Sequence, residues 1–157
     1  MKYDFKVFDD PNKLMETIKE KNLEKNRARV VAGYCWEWIS TARHMSNVFD
    51  ININQHNFHK SWNLNSTPTW AIDPTSVDEI GCVHTSQGLE FDFVGVIIGP
   101  DFIVRDGNII TDATKRAKTD RSLRGIKSMM KLHPEKAKEI ADKREIEVPP
   151  PGHPLSL

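Results

Sequence analysis

Residues 80–99 read IGCVHTSQGLEFDFVGVIIG, and this stretch decides which fold the chain is expected to adopt. Residues 80–84 and 94–98 are rich in apolar and β-branched side chains, so each predicts a buried strand. The polar residues 86–91 between them predict a turn that enters a short helix, with Ser86 as its cap. Ligands of open α/β sheets bind beyond the carboxyl ends of the strands, so this turn is the first candidate site.

The residues before this stretch indicate a parallel sheet. Residues 5–8 predict a short strand, and Asp10 is a candidate cap for a helix that begins at Pro11 and ends near Asn22. Residues 29–33 then predict a buried strand that runs into a glycine turn. A strand, a helix and a strand in this order are typical of an α/β fold with a mostly parallel sheet.

The remaining segments predict a long insertion, a hairpin and helices. Residues 40–70 are rich in polar side chains and predict a long insertion or an ordered loop, with Trp62 and Trp70 as its apolar anchors. Residues 102–110 predict a hairpin around an Asp-Gly or Gly-Asn turn. Residues 112–132 place Leu123, Ile126, Met129 and Met130 on one predicted helical face, and a charged helix is predicted after Pro134.

The composition bounds what kind of protein this is. The 157 residues suit one domain, and 22 basic against 22 acidic residues give a formal charge of zero. This balance excludes attraction of the whole protein to nucleic acid or to a membrane, so any contact with a polyanion has to be local. The sequence shows no signal peptide and no apolar run near the roughly 20 residues of a membrane span, which predicts a cytoplasmic location and no membrane partner.

Metal and disulfide chemistry is not expected. Cys35 and Cys82 are too few for a disulfide scaffold or a zinc site, so we expect two reduced thiols. His56 and His59 are three residues apart, but no third ligand stands at a convincing spacing. The sequence therefore predicts no metal site.

The turn at residues 84–90 has chemical features of a ligand site. Gly88 permits close approach of a ligand to the backbone, and amides at a helix N-terminus point toward anions such as phosphate. Glu90, one turn later, can accept hydrogen bonds from a ribose hydroxyl. The alternative interpretation is a hydroxyl-rich capping turn that binds nothing.

The order His84-x-Ser86-Gln87-Gly88-x-Glu90 resembles motif V of superfamily-one helicases, the turn of the second motor lobe that touches nucleotide and nucleic acid. Together with VVAGYCWEW at residues 30–38 and WAID at residues 70–73, this motif makes the chain resemble an uncharacterised helicase-like family grouped with the Schlafen group 3 DNA/RNA helicase domain. The resemblance covers roughly residues 3–140.

The resemblance implies a fold and assigns roles to residues. It implies a single RecA-like lobe over residues 1–142, with a mostly parallel sheet and helices on both faces. The charged, proline-rich composition of residues 143–157 predicts a disordered tail. The resemblance also implies DNA or RNA as a partner and the following sites: His84 and Thr85 near the nucleic acid backbone, and Gln87, Gly88 and Glu90 near a nucleotide.

A basic segment is a second candidate contact with nucleic acid. Seven lysines and arginines stand against the single acid Asp120 between residues 115 and 131, and they include Arg116, Arg121 and Arg124. Such a stripe can follow a phosphate backbone, or it can be a solvated helix face. Trp36, which follows the first glycine turn, is likewise a base-stacking candidate or a core residue.

Parts needed for ATP hydrolysis are not found in the sequence. No G-x-x-x-x-G-K-[ST] occurs, and the T-R-G arginine motif that the family places after motif V does not occur either. We assign no catalytic residue, and ATP and Mg are expected only if a separate polypeptide supplies the first lobe. The departure from the family near Arg144 motivates the hypothesis of a truncated or frame-shifted reading frame.

The sequence therefore predicts a fragment of an ATP-dependent DNA/RNA helicase-like protein that contacts nucleic acid and nucleotide without hydrolysing ATP alone. The alternative is a protein-interaction module, or an inactive remnant that retains only the fold.

Overall fold

The computed structural model of the chain describes residues 4–39, 45, 47–62, 69–120 and 125–143. The chain divides into two compact units, Met1–Ile97 and Ile98–Leu157. The helices in the described residues are α1 (Pro11–Lys25), α2 (Val83–Ser86), α3 (Ile126–Leu132) and α4 (Pro134–Lys143). The strands are β1 (Ala28–Ala32), β2 (Ile51–Ile53), β3 (Phe58–Lys60), β4 (Ile80–Gly81), β5 (Phe93–Ile97), β6 (Phe102–Arg105) and β7 (Asn108–Thr111).

The first unit is built around a three-stranded parallel sheet in the order β4-β1-β5. Val30 of β1 lies beside Ile80 of β4 and Gly95 of β5, which sets the register of both pairs. The mixture of helices and a parallel sheet confirms the predicted α/β class. The single lobe predicted over residues 1–142 includes residues of both units, and its extent stays a prediction.

Helix α1 forms where the sequence predicts it. The Asp10 carboxylate accepts a hydrogen bond from the Asn12 backbone N–H at 2.8 Å, and proline occupies the first turn. The helix runs to Lys25 rather than ending near Asn22, and Asn26 ends it in the left-handed conformation with φ of 51°. In this conformation the backbone N–H of Asn26 donates a hydrogen bond to Asn22 O at 2.7 Å, which satisfies one of the last carbonyl groups of the helix.

The cap of α1 predicts a pH dependence of stability. The hydrogen bond from the Asn12 backbone N–H holds the pKa of Asp10 below its ordinary 3.8. Because folding lowers this pKa, the ionised carboxylate stabilises the fold at pH values above the pKa of the unfolded chain. This contribution is lost as the pH falls through the lower pKa of the folded chain.

We expect Asp10→Asn to lose less stability than the wild type between about pH 5 and about pH 3, because an amide also caps a helix but does not titrate there. Urea unfolding at a series of pH values measures this. Parallel pH curves for the two proteins would contradict it.

The strand predicted at residues 5–8 is wrong. These residues lie outside every strand, and Phe5 and Val7 are 87% and 78% exposed. Alternation of apolar residues predicts a strand only where a sheet edge and a core are at hand, and none of the described strands pairs with this segment.

The two faces of the sheet are covered differently. Helix α1 packs on one face, where a Cβ on Gly95 would stand 3.0 Å from Ile18. Trp70 packs on the opposite face against Gly81. On that opposite face of β5, Val94 and Val96 remain 48% and 55% exposed, so a helix there stays a prediction.

The insertion predicted at residues 40–70 contains regular structure in its described part. Strands β2 and β3 form an antiparallel pair around a 3₁₀ helix, Asn54–His56. Trp62 and Trp70 are 4% and 2% exposed, which confirms them as apolar anchors. Trp62 also forms a bridge to Ile80, so the insertion is joined to the edge of the parallel sheet.

Arg29 is a buried residue that forms hydrogen bonds with several segments of this unit. It points to the same face of the sheet as Trp70 and has no exposed surface, and its guanidinium carbon lies 5.9 Å from the Trp70 ring. Burial lowers the pKa of Arg29, and the charges of Asp73 and Glu79 oppose that shift. Its three nitrogens donate to the following groups at 2.6–3.4 Å: Asn22 Oδ1, Asn26 Oδ1, Ala28 O, Trp70 O, Asp73 O and Ser76 Oγ.

The second unit begins with the predicted hairpin. Strands β6 and β7 pair antiparallel, and Asp106 and Gly107 both have positive φ, of 52° and 76°, as a type I′ turn requires. The predicted helical face over residues 112–132 is only partly helical, because a 3₁₀ helix, Ala113–Lys115, precedes α3. Helix α4 packs against α3. Leu123 and residues 144–157, which include most of the predicted tail, lie outside the described residues.

No helix in the described part of the chain is both long enough and apolar enough to cross a lipid bilayer.

Candidate functional site

The turn after β4 differs from its predicted form. The strand ends at Gly81, and α2 occupies Val83–Ser86, so Ser86 closes a helix rather than capping the start of one. The backbone N–H groups of Thr85 and Ser86 both donate to Cys82 O at 3.1 Å. This short local hydrogen-bond pattern replaces the predicted extended chain at residues 83–84.

Gly88 therefore follows the helix instead of preceding one. It has φ of 77°, and no described heavy atom lies within 4 Å of where its Cβ would stand. Glycine suits this position because the left-handed region is costly for other residues. The expectation that a helix N-terminus at Gly88 directs amides toward an anion is wrong, since the helix lies on the other side of the glycine.

The hydroxyl groups of the turn brace its backbone. Thr85 Oγ1 accepts a hydrogen bond from Cys82 N at 2.8 Å and donates one to Cys82 O at 2.9 Å. Ser86 Oγ also donates to Cys82 O, at 3.0 Å. Thr85, predicted to contact nucleic acid, therefore holds the shape of the turn. Gln87 projects into solvent, and the side chain of His84 lies outside what the structure describes.

The side chain of Glu90 reaches toward the amino end of β1. It is 94% exposed, and Oε2 lies 3.8 Å from Nη2 of Arg27, the residue before β1. The backbone N–H of Leu89 donates to Ser86 O at 3.2 Å, whereas those of Asp92 and Phe93 donate to Arg27 O at 2.9 and 3.3 Å. Residues 89–93 therefore lead from the α2 turn to the amino end of β1.

The predicted site thus extends along β1. Gly81 pairs with Val31, near the end of β1, so Cys82 and α2 lie at the carboxyl edge. Five strand residues span roughly 16 Å, which is the approximate separation of the two ends. The structure brings Thr85, Ser86 and Gln87 together, and it directs the Glu90 carboxylate away from them, toward Arg27.

Arg116 is held by two carboxylates of the second unit. Its Nη1 lies 3.2 Å from Asp101 Oδ2, and its Nη2 lies 2.7 Å from Asp120 Oδ2. Asp101 is 8% exposed, so Arg116 joins a buried carboxylate to the following turn. Its contact with nucleic acid stays a prediction. Arg121 and Arg124 lie outside the described residues.

Aromatic rings lie close together after the end of β1. Tyr34 and Trp38 stack on Trp62, and their ring centroids lie 5.3 and 6.2 Å, respectively, from that of Trp62. The Asp50 carboxylate accepts hydrogen bonds from the backbone N–H groups of Ile39 and Trp62, which ties the two segments together. Trp36 is half-buried against the same core, so its packing is the role that the structure shows.

Sequence reasoning missed the contact of Arg27 with Glu90. An arginine between a helix and a strand carries no motif, and its proximity to Glu90 depends on the pairing of β1 with β5. The signal that was present is the charged Asp92 directly before β5, in register with the residue that precedes β1. Among the described residues, no group of three or more histidines, cysteines or acids is arranged to hold a metal ion.

Comparison with known proteins places the chain in a family. It matches the family described as Schlafen group 3, DNA/RNA helicase domain, over residues 1–146. It is 30% identical over 102 residues to the uncharacterized protein YPL245W of Saccharomyces cerevisiae, in an alignment that covers 62% of this chain. The alignment covers 21% of the yeast protein, so the chain corresponds to about a fifth of that relative.

No solved structure matches the chain. The family match covers residues 1–146 of a 157-residue chain. The chain therefore belongs to the Schlafen group 3 DNA/RNA helicase domain family.

Proposed function

We propose that this chain is a RecA-like second lobe of a helicase-type motor, which contacts single-stranded nucleic acid through the α2 turn and does not hydrolyse ATP alone. The observation that carries the proposal is the exposed turn that α2 and Gly88 form at the carboxyl edge of a parallel sheet. Open α/β sheets bind their ligands at this edge. Membership of a helicase domain family supports the choice of ligand.

The geometry of the turn supports contact through its tip. The hydroxyl of Thr85 is hydrogen-bonded to the backbone of Cys82, while Gln87 is exposed. Phosphate and sugar contacts position a protein on nucleic acid and need only donors such as amide groups. We therefore assign the direct contact to His84, Gln87 and the backbone at Gly88, with Thr85 as the residue that keeps the turn in shape.

ATP hydrolysis by the whole motor needs groups from outside this chain. The transferred phosphate is stabilised by a phosphate-binding loop, a magnesium ion and an arginine. The sequence has no G-x-x-x-x-G-K-[ST]. The hydrolytic activity, and ATP with Mg as its cofactors, are thus assigned to an assembly with a separate first-lobe polypeptide.

Fluorescence anisotropy of the purified chain with labelled single-stranded RNA and DNA tests the proposal. We expect binding at low salt that weakens as salt rises, with a slope of about −0.7 for each phosphate neutralised. Gln87→Ala should weaken binding about two- to tenfold, the usual effect of losing one neutral hydrogen bond.

Gln55→Ala is the matched control, because Gln55 is also an exposed glutamine of the first unit and lies in the Asn54–His56 helix. Equal weakening by both substitutions would place the contact elsewhere. Absence of binding at low salt would reject the nucleic-acid role.

A second candidate function is a protein-interaction module that retains only the fold. The exposed apolar side chains of Val94 and Val96 on β5 favour it, since exposed apolar patches often mark protein contacts. A chain that binds neither RNA nor DNA, yet shows concentration-dependent association that Val96→Thr reduces, would support this candidate.

A further inference from the structure

Strand β5 is an open edge of the parallel sheet. The sheet order is β4-β1-β5, and none of the described strands pairs with the outer side of β5. The β4 edge differs, because Trp62 forms a bridge to Ile80, and Ile80 donates its backbone N–H to Ser61 O at 3.2 Å. An open edge is a template for another strand. We propose that β5 pairs antiparallel with β5 of a second copy of this chain, which joins the two sheets into one.

The backbone of β5 is oriented for such a pair. Phe93 donates its backbone N–H to Arg27 O at 3.3 Å, toward β1. The hydrogen-bonding direction alternates along a strand, so residues 94, 96 and 98 direct their N–H and C=O groups to the open side. In an antiparallel pair, two such residues opposite each other exchange both N–H···O bonds. A second copy can therefore bond these three residues while β5 keeps its pairing with β1.

The same three residues carry exposed apolar side chains. Val94, Val96 and Ile98 are 48%, 55% and 61% exposed, and alternation places them on the face of β5 opposite α1. A pair centred on Val96 sets this residue against itself and sets Val94 against Ile98 of the copy. Each side chain then gains an aliphatic neighbour directly across the pair. The row complements itself, as an interface around a twofold axis requires.

Charge favours a second copy as the partner and selects the register. The eight residues after Asp92 contain no charged side chain, and the formal charge of the whole chain is zero. Centring the pair on Val96 sets Asp92 opposite Pro100, which has no N–H with which to continue the ladder. Centring it on Gly95 would set Asp92 opposite Ile98. Two copies in the first register therefore meet without the like-charge contacts that destabilise strand pairs.

Helix α1 leaves room for this pair. It packs over both β1 and β5, so its axis lies between these strands. Neighbouring strands are roughly 4.8 Å apart, which sets α1 and its copy about 10 Å apart on one face of the joined sheet. Packed helices are ordinarily about 8–10 Å apart. The joined sheet is therefore compatible with the position of α1.

The size of the interface sets the expected affinity. Standard interfaces bury about 1,600 Å² in total, with roughly 20–30 residues a side, and one strand edge supplies fewer. The dimer should therefore be transient, with a dissociation constant on the order of 0.1 mM. Because the pair occupies the open edge in both copies, association should stop at the dimer.

Sedimentation velocity of the full chain, from about 10 µM to about 1 mM, tests the proposal. A monomer that converts to a dimer over this range is the expected result. Val96→Lys should raise the dissociation constant about tenfold or more, because it sets two ammonium groups opposite each other at the twofold axis. A wild-type chain that stays monomeric, or that assembles beyond the dimer, overturns the proposal.

Val104→Lys is the matched control. Val104 is a strand valine of the second unit, in β6, and is 68% exposed. This variant should dimerise as the wild type does, and circular dichroism checks that both variants are folded. Equal weakening by both substitutions would show association through apolar surface in general, and would reject the β5 pair.

Amide hydrogen exchange of the wild type, followed by NMR at both ends of the concentration range, locates the interface without a substitution. Exchange at residues 94, 96 and 98 should slow at high concentration, while Gly95 and Ile97, which already bond β1, should change less. Dimerisation with unchanged exchange at the three residues would place the interface elsewhere and overturn the inference. Nucleic-acid binding is a separate result, because Gln87 and the α2 turn take no part in the pair.

Discussion

Replacing Arg29 by alanine should lower the free energy of unfolding of the first unit by about 3–5 kcal/mol, the range for removing one partner from a buried charged network. The side chain has no exposed surface, and its guanidinium joins helix α1 to the segment at residues 70–76. Alanine removes all of these hydrogen bonds and leaves Ser76 Oγ without the Arg29 donor, and the loss of hydrogen bonds to buried polar groups is costly.

Urea unfolding followed by tryptophan fluorescence measures this loss. All four tryptophans lie between residues 36 and 70, so the signal reports on the first unit. Arg29→Lys should also destabilise, because an ammonium group has three donors and cannot reproduce the planar fork. Arg105→Ala, at an exposed arginine, should change stability by less than about 0.5 kcal/mol. An Arg29→Ala protein with the wild-type midpoint would contradict the network.

A methyl group at Gly81 should destabilise the same unit by about 1–3 kcal/mol, the usual cost of overpacking a filled core. The added Cβ would overlap Trp70 Cη2 and stand 2.8 Å from Trp70 Cζ2. Trp70 is 2% exposed and its ring packs against the Arg29 guanidinium, so a change of its rotamer would disturb the hydrogen bonds of Arg29.

Gly33→Ala is the matched control for Gly81→Ala. No described heavy atom lies within 4 Å of a Cβ at Gly33, and its φ is not positive. The control should be neutral or slightly stabilising, because alanine restricts the unfolded chain more than glycine does. Equal urea midpoints for the two variants would show that Trp70 does not pack against β4 as the structure places it.

Elements with strong local signals could be predicted from the sequence. The Asp10-Pro11 start fixed the beginning of α1, and the Asp106-Gly107 pair identified the β6–β7 hairpin, because both depend on residues that are neighbours in sequence. Strands β1 and β5 were identified by buried apolar runs. The parallel sheet is confirmed, although it was predicted from a strand-helix-strand order whose first strand, at residues 5–8, does not form.

Features that depend on distant partners could not be predicted. The apolar residues 5–8 favour a strand, but a strand also needs an edge to pair with. Residues 83–86 have β-forming side chains, yet hydrogen bonds to Cys82 curl them into α2. Nothing in the run Arg29-Val30-Val31 shows that the arginine is buried, since its partners stand up to 47 residues away.

The candidate site was predictable in its residues and not in its arrangement. The motif at residues 84–90 identified the turn, and its short length suggested one compact site. The parallel pairing of β1 with β4 and β5 makes the chain travel from one edge of the sheet to the other between Cys82 and Asp92. Only the register of the strands shows that the Glu90 carboxylate lies close to Arg27, the residue at the amino end of β1.

The exposed side of β5 is also a surface that the chaperones and proteases of a cell can recognise. Residues 93–100 contain no charged side chain, and Val94, Val96 and Ile98 are each about half exposed or more. Natural sheets protect such edges with charges, proline or a covering element. Exposed apolar rows of this kind are what chaperones and proteases recognise in unfinished chains, so we expect the cellular abundance of this chain to rise if a polypeptide that covers β5 is supplied.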